Sequence, residues 1–199
     1  MKYLTIVSFS SSLLAVFFLL ASHGNLNSDS KESGDIILFD FTTIENMDDW
    51  LIVNDGVMGG LSKSEFILSD SNTAIFSGNV TLENNGGFAS TRTKAMNFQL
   101  DGYKGIFIRV KGDGKKYQFR IRTSDRFDGV SYRYHFETNK NKWQTVSIPF
   151  NKCVPVFRGR ILRDVEPILP KDIQQLGILI SDKQTGEFRL EIQWIKSYQ

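Results

Sequence analysis

The feature that most constrains this chain is an apolar–polar alternation of period two, repeated along most of its length and broken by glycine-bearing turns. Ile106, Ile108 and Val110 alternate with Phe107, Arg109 and Lys111, and Tyr117, Phe119 and Ile121 alternate with Gln118, Arg120 and Arg122. Tyr132, Tyr134 and Phe136 alternate with Arg133, His135 and Glu137. Further on, Phe188, Leu190, Ile192 and Trp194 alternate with Arg189, Glu191 and Gln193, while residues 36–41 and 73–80 read as further strands. Successive side chains of a strand point to opposite faces, so this pattern builds sheets with one buried and one wet face, the habit of antiparallel sheets. Asn85-Gly86-Gly87, Asp101-Gly102, Gly112-Asp113-Gly114, Asp128-Gly129 and Thr185-Gly186 supply the turns. A single helical turn is expected within residues 170–175. The fold class is therefore all-β, a β-sandwich or jelly roll.

The first 24 residues do not fit this pattern. Lys2 precedes an apolar stretch from Leu4 to Ala21, followed by the small residues Ser22 and Gly24. That order reads as a secretory signal peptide or an uncleaved N-terminal membrane anchor. Residues 25–34 (NLNSDSKESG) read as a flexible tether and residues 35–199 as the folded domain, long enough for one hydrophobic core. The expected location is exported: periplasmic, secreted or tethered to the outer face of a membrane. The lone Cys153 has no second cysteine to pair with and reads as a small buried hydrophobe.

Charge and rare residues exclude several functions. Lys+Arg 24 against Asp+Glu 22 leaves +2, too little to make a case for nucleic acid. The two histidines are His23, in the leader, and His135. A domain with one histidine and one cysteine cannot form a zinc finger, a cysteine-rich scaffold or a di-histidine metal site. A Ser–His–Asp or Cys–His arrangement would have to use His135, which the alternation places on a polar strand face. A carboxylate pair for glycoside hydrolysis remains open in principle, but no acid stands in a setting that marks it. No catalytic residue, metal or cofactor is expected.

Three features carry binding potential. In residues 50–62, Gly56, Gly59 and Gly60 beside Asn54 and Asp55 form a loop whose amides could face a polar ligand, or whose glycines permit positive φ for purely structural reasons. Neither a P-loop lysine nor a following helix accompanies it. In residues 84–92, Gly86 and Gly87 lead into a strand carrying Arg92, whose guanidinium could fork onto a carboxylate, a phosphate or a pair of sugar hydroxyls. Arg109, Arg120, Arg122, Arg126, Arg133, Arg158, Arg160 and Arg163 are the third, several in polar phase on consecutive strands. They are expected to gather on one sheet face beside Phe107 and His135, either as a site for an acidic ligand or as a solvated face balanced by acids.

These same segments carry a family resemblance. Asp40-Phe41, Trp50, the run Asn54 to Ser62, Phe76-Ser77-Gly78 and the run Asn84 to Arg92 resemble the complex I intermediate-associated protein 30 family. Phe157-Arg158-Gly159-Arg160, Leu176-Gly177-Ile178 and Gly186 to Leu190 agree with its later motifs, so the resemblance covers about Asp35 to Tyr198. It implies a galactose-binding-domain-like jelly roll and a non-catalytic role in assembling respiratory NADH:ubiquinone oxidoreductase. It also implies a binding edge of Trp50, Asn54, Asp55, Met58, Gly59, Gly60, Ser62, Gly87, Phe88, Arg92 and Arg158. The expected function is a binding or assembly module that holds a protein partner, such as membrane subunits of a respiratory complex, through loop and sheet-face residues. The alternative is a carbohydrate-binding protein of the cell envelope, with aromatics and Arg92 or Arg158 engaging a glycan. Membrane contact would come only through an uncleaved anchor.

Overall fold

The computed structural model describes residues 34–199. The leader and nearly all of the tether lie outside the described residues, within which no helix is long and apolar enough to cross a membrane. Among the described residues, thirteen strands form two antiparallel sheets. The first sheet contains β1 (Ile36–Asp40), β3 (Lys63–Leu68), β4 (Ala74–Val80), β6 (Gly105–Gly112), β9 (Trp143–Pro149) and β13 (Gly186–Tyr198). Its order is β3-β4-β13-β6-β9, and β1 pairs with the end of β13 that β4 leaves free. The second sheet contains β2 (Trp50–Ile52), β5 (Ala89–Thr93), β7 (Lys116–Arg122), β8 (Ser131–Glu137), β10 (Val154–Phe157), β11 (Arg160–Ile161) and β12 (Gln175–Ile180), in the order β11-β10-β8-β7-β12-β5-β2.

The alternation sorts core from surface as its period requires. Ile106, Ile108 and Val110 of β6, Tyr117, Phe119 and Ile121 of β7, and Leu176, Ile178 and Ile180 of β12 are all buried between the sheets. Such side chains each gain roughly 1.5–3 kcal/mol from leaving water, the term that holds the two sheets together. The helical turn within residues 170–175 is a short 3-10 turn, Pro170–Asp172.

Two sequence expectations are corrected by pairing. Trp194 does not continue the buried phase of Phe188, Leu190 and Ile192, because a bulge between Ile192 and Trp194 inserts a residue and Ile195 takes the core position instead. The arginines gather only in part: Arg120, Arg122 and Arg133 share one face of the second sheet with His135, but Arg109 and Phe107 do not join them. Strands β6 and β7 follow each other in sequence but belong to different sheets, so Arg109 lies on the first sheet near Trp143, and Phe107 stacks on Tyr198. Arg120 and Arg133 instead sit opposite each other on the second sheet.

Candidate functional site

The outer face of the second sheet carries a groove of about 600 Å³. Strand register builds its floor. Gly177 of β12 lies between Arg92 of β5 and Arg120 of β7, and Arg120 faces Arg133 of β8. Gly177 has no side chain to fill the middle, and none would fit: a Cβ there would stand 2.8 Å from the Thr91 carbonyl oxygen and 3.0 Å from Arg92 Cβ. The floor is thus a dip flanked by guanidiniums. Val57 and Met58 on one side and Phe127 on another form an exposed apolar rim.

The arginines are held by neutral partners. Arg92 is 7% exposed, and its Nη1 donates to the Phe127 carbonyl at 2.9 Å while the Phe127 ring covers its guanidinium at 4.6 Å. Arg122 Nη1 donates to the Gly129 carbonyl at 3.2 Å. Arg120 donates to Ser131 Oγ at 2.8 Å and to Gln118 Oε1 at 2.7 Å. Burial, reinforced by the neighbouring Arg133 and Arg122 charges, pushes Arg120 down to about 10; burial also lowers Arg92 and Arg122. On the rim, Arg158 forks onto Asp128 Oδ2 at 3.2 and 2.7 Å, and that bond holds Asp128 below the usual carboxylate range.

Of the residues singled out from sequence, Met58, Phe88, Arg92 and Arg158 line the groove. The others form the framework beside it. Trp50 is buried against Phe66 and Phe39, at ring distances of 4.8 and 5.1 Å. Asp55 is wholly buried and accepts from the Ser62 amide at 2.9 Å, the Ser62 hydroxyl at 2.5 Å, the Gly87 amide at 2.7 Å and the Phe88 amide at 3.2 Å. Asn54 Oδ1 accepts from Ser64 Oγ at 2.8 Å and the Ser90 amide at 3.2 Å. Gly59 has φ of 90° and terminates a 3-10 turn, Asp55–Met58. Gly60 is not at positive φ; a Cβ there would lie 2.5 Å from Asp55 Oδ1. The Gly59 and Gly60 amides thus donate to the backbone carbonyls of Gly56 and Asp55, while the Ser62, Gly87 and Phe88 amides face the Asp55 carboxylate. Their job is to fix Met58 and Phe88 at the groove.

Gly177, Phe127 and Ser131 were not marked as site residues by sequence, and Arg120 and Arg122 only as part of a broad arginine cluster. For Arg120, Arg122 and Ser131 the signal was the polar phase of β7 and β8, while Gly177 on β12 and Phe127 in the loop before β8 carried none; what was lacking was the identity of the neighbouring strands. The two nucleophile-chemistry residues stand apart. His135 Nδ1 is 3.6 Å from Asp182 Oδ2, and burial together with Arg133 lowers its pKa. Burial pushes the Cys153 thiol up to about 12. Among the described residues no group of His, Cys, Asp and Glu side chains could hold a metal ion.

The two-sheet sandwich defines the class by its fold: an all-β sandwich, or jelly roll, of the kind found in carbohydrate-binding modules. The family 11 carbohydrate-binding module of a Clostridium thermocellum cellulosomal cellulase superposes with a TM-score of 0.61, covering 83% of this chain and 95% of that one. At 18% identity the likeness is one of fold. The chain belongs to the complex I intermediate-associated protein 30 family, whose model matches residues 39–192. It is 30% identical over 178 residues to the probable mitochondrial complex I intermediate-associated protein 30 of Caenorhabditis elegans, covering 79% of this chain and 52% of that protein. Against the Mus musculus mitochondrial protein of that name it is 27% identical over 180 residues, covering 80% and 55%. The chain thus spans about half the length of the curated relatives it matches.

The expectation of an exported domain is corrected by these relatives. Both are named mitochondrial, which points to that compartment rather than to export. The physical reason is that hydrophobicity measures preference for a nonpolar phase and carries no address for a particular membrane.

Proposed function

We propose that this chain is a non-catalytic assembly-factor module, mitochondrial like its relatives, which holds a polypeptide of respiratory complex I in the groove of the second sheet. The observation that carries the reading is the convergence of Met58, Phe88, Arg92 and Arg158, drawn from family motifs in three separate segments, on that single groove. The lining argues against the glycan alternative. Sugars stack on exposed aromatic platforms, whereas this floor offers guanidiniums and a missing side chain, and its one strongly exposed ring, Phe127, already covers Arg92. The reading is tested by capture from detergent-solubilised mitochondrial membranes with the wild-type chain and with Met58→Ala/Arg158→Ala, both rim positions being exposed. Complex I subunits should be retained by the wild type and lost or strongly reduced with the double variant at unchanged Tm. Equal capture by both would refute the groove as the holding surface.

A further inference from the structure

The floor of the groove collects positive charge that the fold leaves without a counter-ion. Arg92, Arg120 and Arg122 line the groove and Arg133 lies beside them on the same sheet face, yet among the described residues none of the four forms an ion pair; the bonds of the first three go to the carbonyls of Phe127 and Gly129, to Ser131 and to Gln118. The buried Nε atoms of Arg92, Arg120 and Arg133 have no hydrogen-bond partner at all. Burying a guanidinium without an anion is unfavourable, and crowding several together adds repulsion. Asp128 stands nearest the cluster but is engaged by the exposed Arg158, and Asp182 sits at the other end beside His135 and Gln118. Desolvated charges crowded in a groove in this way mark a candidate binding site, and an anion from outside would relieve the repulsion.

We propose that the groove floor is a carboxylate-binding site for an extended acidic segment of the partner polypeptide, with the carboxylates over the dip at Gly177 and flanking apolar side chains against Val57, Met58 and Phe127. A single small anion would leave most of the 600 Å³ groove empty. Arg92 and Arg120 lie two strands apart, about 10 Å between their backbones, and same-face side chains of an extended peptide repeat every ~7 Å. That repeat falls between the ~10 Å from Arg92 to Arg120 and the ~5 Å from Arg120 to Arg133, so acids at alternate positions come within reach of the long arginine side chains without strict register, and guanidiniums favour carboxylates through paired N–H donors. The polypeptide nature of the ligand rests on the partner-binding reading above; its negative charge rests on the groove alone.

The test is calorimetric titration of the purified chain with a capped peptide of alternating Glu and Leu, against its Gln–Leu counterpart. The Glu peptide should bind saturably, at least about tenfold more tightly than the Gln peptide, and weaken on going from about 20 to about 200 mM salt. Asp128→Asn, a change at an exposed position, should tighten binding of the Glu peptide severalfold by removing the carboxylate whose charge acts on Arg92 and Arg122. A folding defect could not produce that gain. Equal affinity for the two peptides, or an Asp128→Asn variant with unchanged or weaker binding, would overturn the proposal. So would saturation by inorganic phosphate with no binding of the Glu peptide, which would make the floor a small-anion site. Peptide binding without rim-dependent capture of complex I subunits would sink the function and leave the acidic-segment site standing; capture without peptide binding would do the reverse.

Discussion

Replacing Asp55 with alanine should be among the most destabilising single changes in the domain, although Asp55 touches no ligand groove. The carboxylate is wholly buried and receives the Ser62, Gly87 and Phe88 amides and the Ser62 hydroxyl. Alanine would strand the buried Ser62 amide and hydroxyl and the part-buried Gly87 and Phe88 amides. Each buried donor left unpaired costs about 1–3 kcal/mol, and partial relaxation of the loop makes the sum sub-additive, so a loss of about 3–5 kcal/mol is expected. Asparagine would rescue only part, because its amide nitrogen must point at a donor. The pH dependence gives a second handle. Burial alone would raise the Asp55 pKa, but the hydrogen bonds from the Ser62 hydroxyl and from the Gly87, Phe88 and Ser62 amides outweigh it, and the net shift is downward. A carboxylate whose folded pKa lies below its unfolded value of about 3.9 contributes stability above that value. The contribution disappears as pH falls through the depressed folded pKa. Urea unfolding followed by tryptophan fluorescence, at pH 7 and at steps below pH 5, measures both effects. In Asp55→Asn the part of the acid sensitivity due to this group should be missing. An Asp55→Ala loss below about 1 kcal/mol with an unchanged m-value would refute the account of the loop as a carboxylate knot.

The glycines beside Asp55 should separate by mechanism. Gly60→Ala drives a Cβ into the Asp55 carboxylate and should lower Tm more than Gly59→Ala, which has free space and pays only for its positive φ, about 1 kcal/mol; the reverse ranking in a thermal melt would contradict this. Arg158→Ala removes an exposed pair with Asp128 and should change stability by less than about 1 kcal/mol in urea unfolding. A larger loss would make Arg158 a structural residue. Burial raises the Cys153 thiol to about 12, so its thiolate is about one part in ten thousand at pH 8. A disulfide reagent should therefore label it slowly in the native chain and quickly in urea, and native labelling at the rate of a free thiol would show that the side chain is accessible.

Much of the architecture was legible in the residues because it depends on a local rule. Period two is imposed by the backbone, so Ile106-Ile108-Val110 and Tyr117-Phe119-Ile121 announced both their strands and their buried faces without reference to anything distant. Glycine and asparagine mark turns for equally local reasons. The family motifs likewise singled out Met58, Phe88, Arg92 and Arg158, four residues of one groove. Local rules say nothing about which strands become neighbours. They could not foresee that the β6–β7 turn crosses from one sheet to the other and separates Arg109 from Arg120, or that a bulge after Ile192 turns Trp194 out of the core. Nor could they show that Asp55 would use the loop amides for itself.

The chain by itself determined the fold class, the core and the loops that matter, since alternation, glycine and buried aromatic character act over a few residues. Only the tertiary structure decided the site. Arg120 and Arg133 sit on consecutive strands, but Arg92 and Gly177 lie 85 residues apart and join them in one row only because β5, β12, β7 and β8 hydrogen-bond in that order. Strand order minimises the exposed apolar area of the whole sandwich, a global quantity that no short window of sequence contains.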